Sequence, residues 1–304
     1  MIQYLQRKEV DDNKWNACIQ QAANSYPYAF TWYLDCVAEQ WDALVSGDYD
    51  AVFPLVWNRR FLIHYLYQPM FTQQLGVFSK NVLDEKTLHD FLEAIPVRYC
   101  FIEINVNYQN PVRHPSFEII PRTNSYLELQ SPYEKLYQAY HENTKRNVQK
   151  ALKNNLHVSE NLKAEAVIEF FKTNSGIKIP ELGEYQYEHL EELIAEVMQR
   201  QMGKLIGVQD TNENLFAAGF FIVTENKIIN LLPSTGEDGK NNGAGFLMID
   251  YLIRKFAGSD KTLDFEGSMI PGIARFYKNF GAQEQTYWRL RRNNLPWFAK
   301  WIKG

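Results

Sequence analysis

The sequence predicts an α/β (α+β) fold of two tandem domains, each a mixed, mostly antiparallel sheet flanked by helices. Length is the first reason: 304 residues exceed one ordinary core and suit two domains of about 150 residues each. Composition is the second, since 45% hydrophobic and 14% aromatic residues describe a chain with enough apolar surface to pack. The third is order. Both halves run through strand, helices, antiparallel strands, helix and strand, with no residue-level repeat between them. The stretch NPVRHPSFEIIPRTNSYLELQSP holds four prolines among polar residues, which places the crossing there and gives domains of 1–125 and 126–304.

In the first domain a strand is expected near 3–7, then helical patterns at 13–23 and 31–40. A β-rich block follows (WDALVSG, then AVFPLVWNRRFLIHYLYQP) with GDYD as a turn. A helix at 83–94 leads to the strand YCFIEINVN, rich in β-branched and aromatic residues. The second domain opens with a helical pattern over 132–153, the short strand LHVSE and helices at 162–173 and 188–202. In the last of these Leu190, Leu193, Ile194 and Val197 recur at helical spacing. The strands GKLIGVQ, LFAAGFFIVT and KIINLLP come next, with Glu-Asn-Lys as a hairpin turn. A helix at 244–256, a strand at 262–266, a helix at 272–280 and a strand at 286–291 complete the domain.

Net charge of −4 and a pI near 5.9 argue against a general nucleic-acid coat, without excluding a local basic groove. Cys18, Cys36 and Cys100 are widely spaced with no CxxC pair, which reads as neither a disulfide framework nor a zinc site and suits a reducing cytoplasm. No apolar leader and no apolar run of membrane-spanning length occurs, so a cytoplasmic protein with no membrane span is expected. The six histidines show no HxxxH or HxH spacing, and no metal is expected. Neither GxSxG nor GxxxxGK[ST] occurs.

Four elements bear on chemistry. Gly243-Ala244-Gly245 opens an apolar helix, where glycines let backbone approach a ligand and first-turn N–H groups are unpaired, a setting for a pyrophosphate. Lys240 and Asn242 lie just before it; a plain flexible loop is the competing reading. Asp264 and Glu266 fall on one face of a short strand, their Cα atoms about 6.6–6.8 Å apart. One of them would serve as a general base whose pKa its neighbour raises, or both are structural acids that cap a helix or pair with Arg275 or Lys278. In the run IARFYKNFGA, Phe276 and Phe280 lie one turn apart as anchors and Gly281 stops the helix. Tyr277 falls off that stripe as a proton donor to a leaving thiolate or alkoxide, or as a surface tyrosine. Last, Asn143–Lys150 is basic, with Arg146, Lys150 and Lys153 on one helix face. If Asn143 or Thr144 caps a helix there, Lys145 and Arg146 sit in its first turn, where the macrodipole disfavours cations by a few tenths of a kcal/mol. A bound phosphate on Lys145, Arg146 and Lys150 would relieve that cost, whereas a solvated basic face needs none.

Taken together, these motifs resemble the GNAT superfamily of acyl-CoA N-acyltransferases. Lys240-Asn241-Asn242-Gly243-Ala244-Gly245 is similar to the family's Arg/Gln-x-x-Gly-x-Gly/Ala loop, with lysine first. Ala274-Arg275-Phe276-Tyr277-Lys278-Asn279-Phe280-Gly281 is similar to Ala-x-x-Phe-Tyr-x-x-x-Gly, with the tyrosine one residue out of phase. Asp264-Phe265-x-Gly267 and the basic helix resemble the FemAB-like branch, which has two GNAT-type domains in tandem and includes aminoacyl-tRNA-dependent peptidyltransferases. No charged coiled-coil stretch for tRNA occurs, and the first domain, lacking a glycine loop, would be a degenerate copy. The resemblance implies acetyl-CoA or another acyl-CoA as donor, held by Lys240, Asn242, Gly243, Ala244 and Gly245. It implies a thioester polarised by backbone N–H groups of the strand ending at Leu232, Tyr277 as acid, and Glu266 or Asp264 as base. The acceptor would be a small-molecule or peptide-like amine. The alternatives are a FemAB-type enzyme using aminoacyl-tRNA on a cell-wall precursor, and a GNAT-fold binding protein without catalysis.

Overall fold

The computed structural model describes residues 1–267 and 269–295. By contacts the chain divides into two units, Met1–Arg122 with the chain from Thr286 on, and Thr123–Gln285.

In unit 1, β1 (Ile2–Gln6), β2 (Trp41–Ser46), β3 (Ala51–Arg60), β4 (Ile63–Tyr67), β5 (Phe78–Ser79) and β6 (Tyr99–Val106) share the unit with α1 (Asp12–Gln21), α2 (Thr31–Val37) and α3 (Glu85–Glu93). Strands β1 to β4 pair antiparallel in chain order, β5 pairs with β3, and β4 pairs with β6 in parallel. Asp11 caps α1 and Asp84 caps α3 by accepting first-turn N–H groups, the preferred use of aspartate at that position. Phe53, Phe91, Ile102 and Leu290 are wholly buried in the unit's core.

Unit 2 contains the rest of β7 (Glu118–Glu128), then α4 (Tyr133–Gln138), α5 (Glu142–Lys153), β8 (His157–Ser159), α6 (Ala164–Asn174) and α7 (Glu184–Gln199). There follow β9 (Gly203–Gln209), β10 (Leu215–Val223), β11 (Lys227–Asn230), β12 (Ser234–Thr235), α8 (Glu237–Asn242), α9 (Ala244–Phe256), β13 (Thr262–Asp264) and α10 (Pro271–Lys278), and the chain then enters β14 (Gln283–Asn293), which from Thr286 on belongs to unit 1. The strand order is β7-β13-β11-β10-β9-β8, with β12 also on β10. Only β11–β13 is parallel; the other pairs are antiparallel. Helix α9 is apolar because it is covered: Leu247, Met248, Ile249, Leu252 and Ile253 are all at most 5% exposed and pack with Phe221, Ile228 and Leu263.

Four expectations are corrected. The proline-rich crossing contains the eleven-residue strand β7, and the division into units falls inside it. Pro121 occupies an exposed position there, and a strand tolerates proline where the missing N–H has no ladder partner. The last strand does not complete the second unit: Trp288–Asn293 pair antiparallel with Phe101–Val106 of β6. The single helical pattern over 132–153 is two helices, broken at 139–141, where His141 N–H donates to the Asn279 carbonyl at 2.9 Å. The strand expected over 262–266 stops at Asp264, because Glu266 and Gly267 take positive φ of 57° and 52°. The remaining elements agree with expectation to within a few residues, and the helix at 244–256 has the expected limits.

Candidate active site

The site lies in unit 2, where two parallel strands part. Ile229 and Asp264 are the last paired residues of β11 and β13. Beyond them Phe265 N–H donates to Ser125 of β7 at 2.9 Å, while Leu232 N–H donates to Phe220 of β10 at 3.1 Å. The Leu232 N–H, expected to face a thioester, is therefore committed to the sheet.

Into the parting points Asn230, at 1% exposure. Its Nδ2 reaches Tyr277 Oη at 3.4 Å, and its Oδ1 has no partner. Exchanging the amide's oxygen and nitrogen would let Tyr277 donate instead, but it would leave the NH2 group unpaired; either way one buried polar group stays open. An open buried amide group costs about 1–3 kcal/mol, so the fold bears that cost unless a ligand relieves it. Tyr277 is 5% exposed, and its ring stacks on Phe265 at 4.5 Å with 23° between planes. Burial, and then the nearby Glu266 carboxylate, push its pKa well above the usual phenol value, with Asn230 partly offsetting them. Tyr277 is thus a neutral phenol at physiological pH, able to give a proton.

The two acids differ. Asp264 is 2% exposed; Oδ1 accepts the Glu266 N–H at 2.8 Å and Oδ2 accepts Asn124 Nδ2 at 3.1 Å. It holds the turn that carries Glu266. Glu266 is half-buried, with the left-handed backbone already noted, and its charge reaches Tyr277. Gly267 is required beside it, since a Cβ there would collide with the Thr123 carbonyl.

The glycine segment is helical rather than an extended loop: α8 runs through Asn242, Gly243 takes φ 75°, and α9 begins at once. A side chain on Gly239 would strike the Phe216 carbonyl and one on Gly243 the Asn147 carbonyl, so these glycines seat α8 on β10 and α5 on the turn. Phe246 and Leu247 N–H groups close back on Gly243. No side chain caps the end, and Ala244 and Gly245 are both buried. Lys240 pairs with Glu237 at 2.9 Å in its own helix, and Asn242 donates to Asp238 and accepts from Asn154.

The basic helix α5 begins earlier than expected, capped by His141 with Glu142 in its first turn, so Lys145 and Arg146 escape the macrodipole penalty. Lys145 pairs with Glu142 at 2.9 Å, Arg146 donates to Asn143 at 2.7 Å, and Arg146 and Lys150 are exposed. Buried Thr144 donates to the Asn279 carbonyl at 3.1 Å, tying α5 to the end of α10 two residues past Tyr277. Phe246 of α9 meets Phe276 at 4.7 Å. Helices α5, α9 and α10 therefore meet behind the Asn230–Tyr277 pair. Asn230 and Asn124 escaped the sequence reading, since a lone asparagine ending an apolar strand announces nothing about the side it faces.

No family model matches the sequence, and no curated protein matches it. Solved structures do share the fold, which is GNAT-like and in tandem. The chain is similar to FemX at TM-score 0.68, with 11% identity over 94% of this chain and 96% of that one. It is similar to L-PGS from Bacillus licheniformis at TM-score 0.56, with 10% identity over 96% and 95%. It is also similar to a tandem GNAT protein from the clavulanic acid biosynthesis pathway at TM-score 0.57, with 11% identity over 97% and 99%.

Proposed function

We propose that unit 2 transfers an acyl group from a thioester carrier of the acyl-CoA type to an amine. The observation that carries this reading is a buried, protonated phenol against a buried amide with one open group, set where two parallel strands diverge. In the proposed step the amine nitrogen attacks the thioester carbonyl carbon and the C–S bond breaks. Tyr277 gives its proton to the departing sulfur, Glu266 takes the proton the amine loses, and solvent exchange resets both. Asp264 is a positioning residue that fixes the Glu266 turn. In this reading the donor's pyrophosphate sits at the start of α9, around Gly243, Ala244 and Gly245, with Lys240 and Asn242 at the rim. Thiol release from acetyl-CoA and longer acyl-CoAs, across a panel of amines, tests the reading; no release at millimolar donor sinks it.

A second reading has its own support. Arg146 and Lys150 are exposed on a helix tied to α10, an arrangement suited to a phosphate-bearing substrate, as in a FemAB-type transfer from aminoacyl-tRNA to a cell-wall precursor. Under this reading Arg146→Ala abolishes transfer from aminoacyl-tRNA and leaves the thermal melt unchanged; retained transfer excludes it.

A further inference from the structure

Unit 1 carries a feature that acyl transfer does not use. The hairpin joining β3 and β4 turns through two residues, Phe61 and Leu62, which are 77% and 88% exposed. Only Phe61 has positive φ, 57°, at the first turn position, where glycine is the unstrained choice. Two-residue hairpins draw on Asn, Asp and Gly at such positions, so neither apolar side chain is demanded by the turn.

The register extends the patch. His64 pairs with Tyr99, so Leu62 and Val97, each two residues earlier, lie at the same end of adjacent parallel strands. Val97 is 96% exposed. Strand β14 leaves at this end too, with Asn293 opposite Phe101 and Asn294 N–H on the Cys100 carbonyl.

Charge names the occupant. Arg59 and Arg60 flank the tip and are exposed, and among the described residues neither pairs with a carboxylate. Arg98 is committed to Asp42 at 3.0 Å, and Glu39 accepts from Asn58. A chain of net charge −4 is repelled by an anionic surface except where a cationic patch faces it. Apolar side chains at a hairpin tip, arginines just behind them and half-buried Trp57, Tyr65 and Tyr67 further along follow the layering of a bilayer interface. We propose that this end of unit 1 docks reversibly on an anionic phospholipid bilayer, with Phe61, Leu62 and Val97 entering the headgroup boundary and Arg59 and Arg60 meeting lipid phosphates.

Co-sedimentation of the full chain with phosphatidylcholine vesicles, with and without phosphatidylglycerol, is the test. Binding is expected to the anionic vesicles and to weaken with salt. Phe61→Asp combined with Leu62→Asp should reduce it to background with an unchanged thermal melt. Arg59→Ala combined with Arg60→Ala should weaken it by about thirtyfold. Equal binding by the aspartate variant, or none at millimolar anionic lipid, overturns the proposal. So does a lipid-free dimer that the aspartate variant dissolves, since the patch would then be a self-contact. Thiol release is read separately, so failure here leaves the transfer reading standing.

Discussion

The two units share an arrangement of mostly antiparallel strands with one parallel pair, yet they treat buried amides differently. In unit 1 the buried asparagines Asn24, Asn105, Asn107 and Asn110 are spent on the fold. Asn110 bonds both ways with the Val77 backbone, at 2.8 and 2.9 Å; Asn24 and Asn107 tie Val77 and Asn24 carbonyls; Asn105 holds Gln73 at 3.0 Å. In unit 2 Asn230 keeps one group open beside Tyr277. A saturated amide stabilises a loop, whereas an unsaturated one costs stability and is poised to meet a ligand. The open amide is what the proposed transfer in unit 2 rests on, whereas the open buried atoms of unit 1 belong to an indole, an imidazole and two guanidinium groups.

The sharpest way to break this comparison is Tyr277→Phe. It keeps the stack on Phe265 and removes the hydroxyl, with its proton and the acceptor of the long Asn230 bond, so thiol release should fall by roughly 10²–10⁴-fold while the stability loss stays within about 1–3 kcal/mol. A melt that collapses along with activity would make the tyrosine structural. Asn230→Ala should cut turnover without lowering stability much, because the wild-type group is already unsatisfied; Asn110→Ala in unit 1 should destabilise by about 1–3 kcal/mol, read by urea unfolding. Equal costs at the two positions would erase the contrast. Gly243→Ala is expected to cost about 1–3 kcal/mol through its positive φ alone, plus displacement of Asn147 on α5.

Two smaller effects depend on pH. Because burial raises Tyr277, the alkaline limb of the rate profile should not turn down near pH 10, where an ordinary phenol ionises; a break there would place the phenol in water. In unit 1, burial first and then His89 hold His114 below the usual imidazole value, and its Nδ1 accepts the Ser116 N–H. Folding therefore favours the neutral ring. Its contribution is complete above about pH 6.5 and is lost as pH falls through the imidazole range, a slope that His114→Gln should flatten. His89, Glu93 and His114 do come together, a cluster assembled across the fold. The Ser116 bond leaves the proton on Nε2, the nitrogen that faces Glu93 at 2.9 Å.

Most of the element order was legible because it rests on local patterns. The apolar period of α7 and α9, the β-branched run of β6 and the Phe276/Phe280 spacing each act within a few residues. Tyr277 and Glu266 were singled out the same way, from their offset against an apolar stripe. What failed was non-local. The prolines gave no sign of the strand β7 in that stretch, although the division into units does fall inside it, and the final strand was assigned by sequence neighbourhood although its hydrogen bonds go to β6.

By itself, then, the sequence determined the fold class and the tandem arrangement, since propensity, period and turn chemistry are short-range. Only the tertiary structure decided that Leu232 N–H is spent on Phe220, that Asp264 holds a turn while Glu266 faces the phenol, and that Asn230 is left open. Each depends on which buried groups find partners, and partners in a sheet are set by strands distant in sequence.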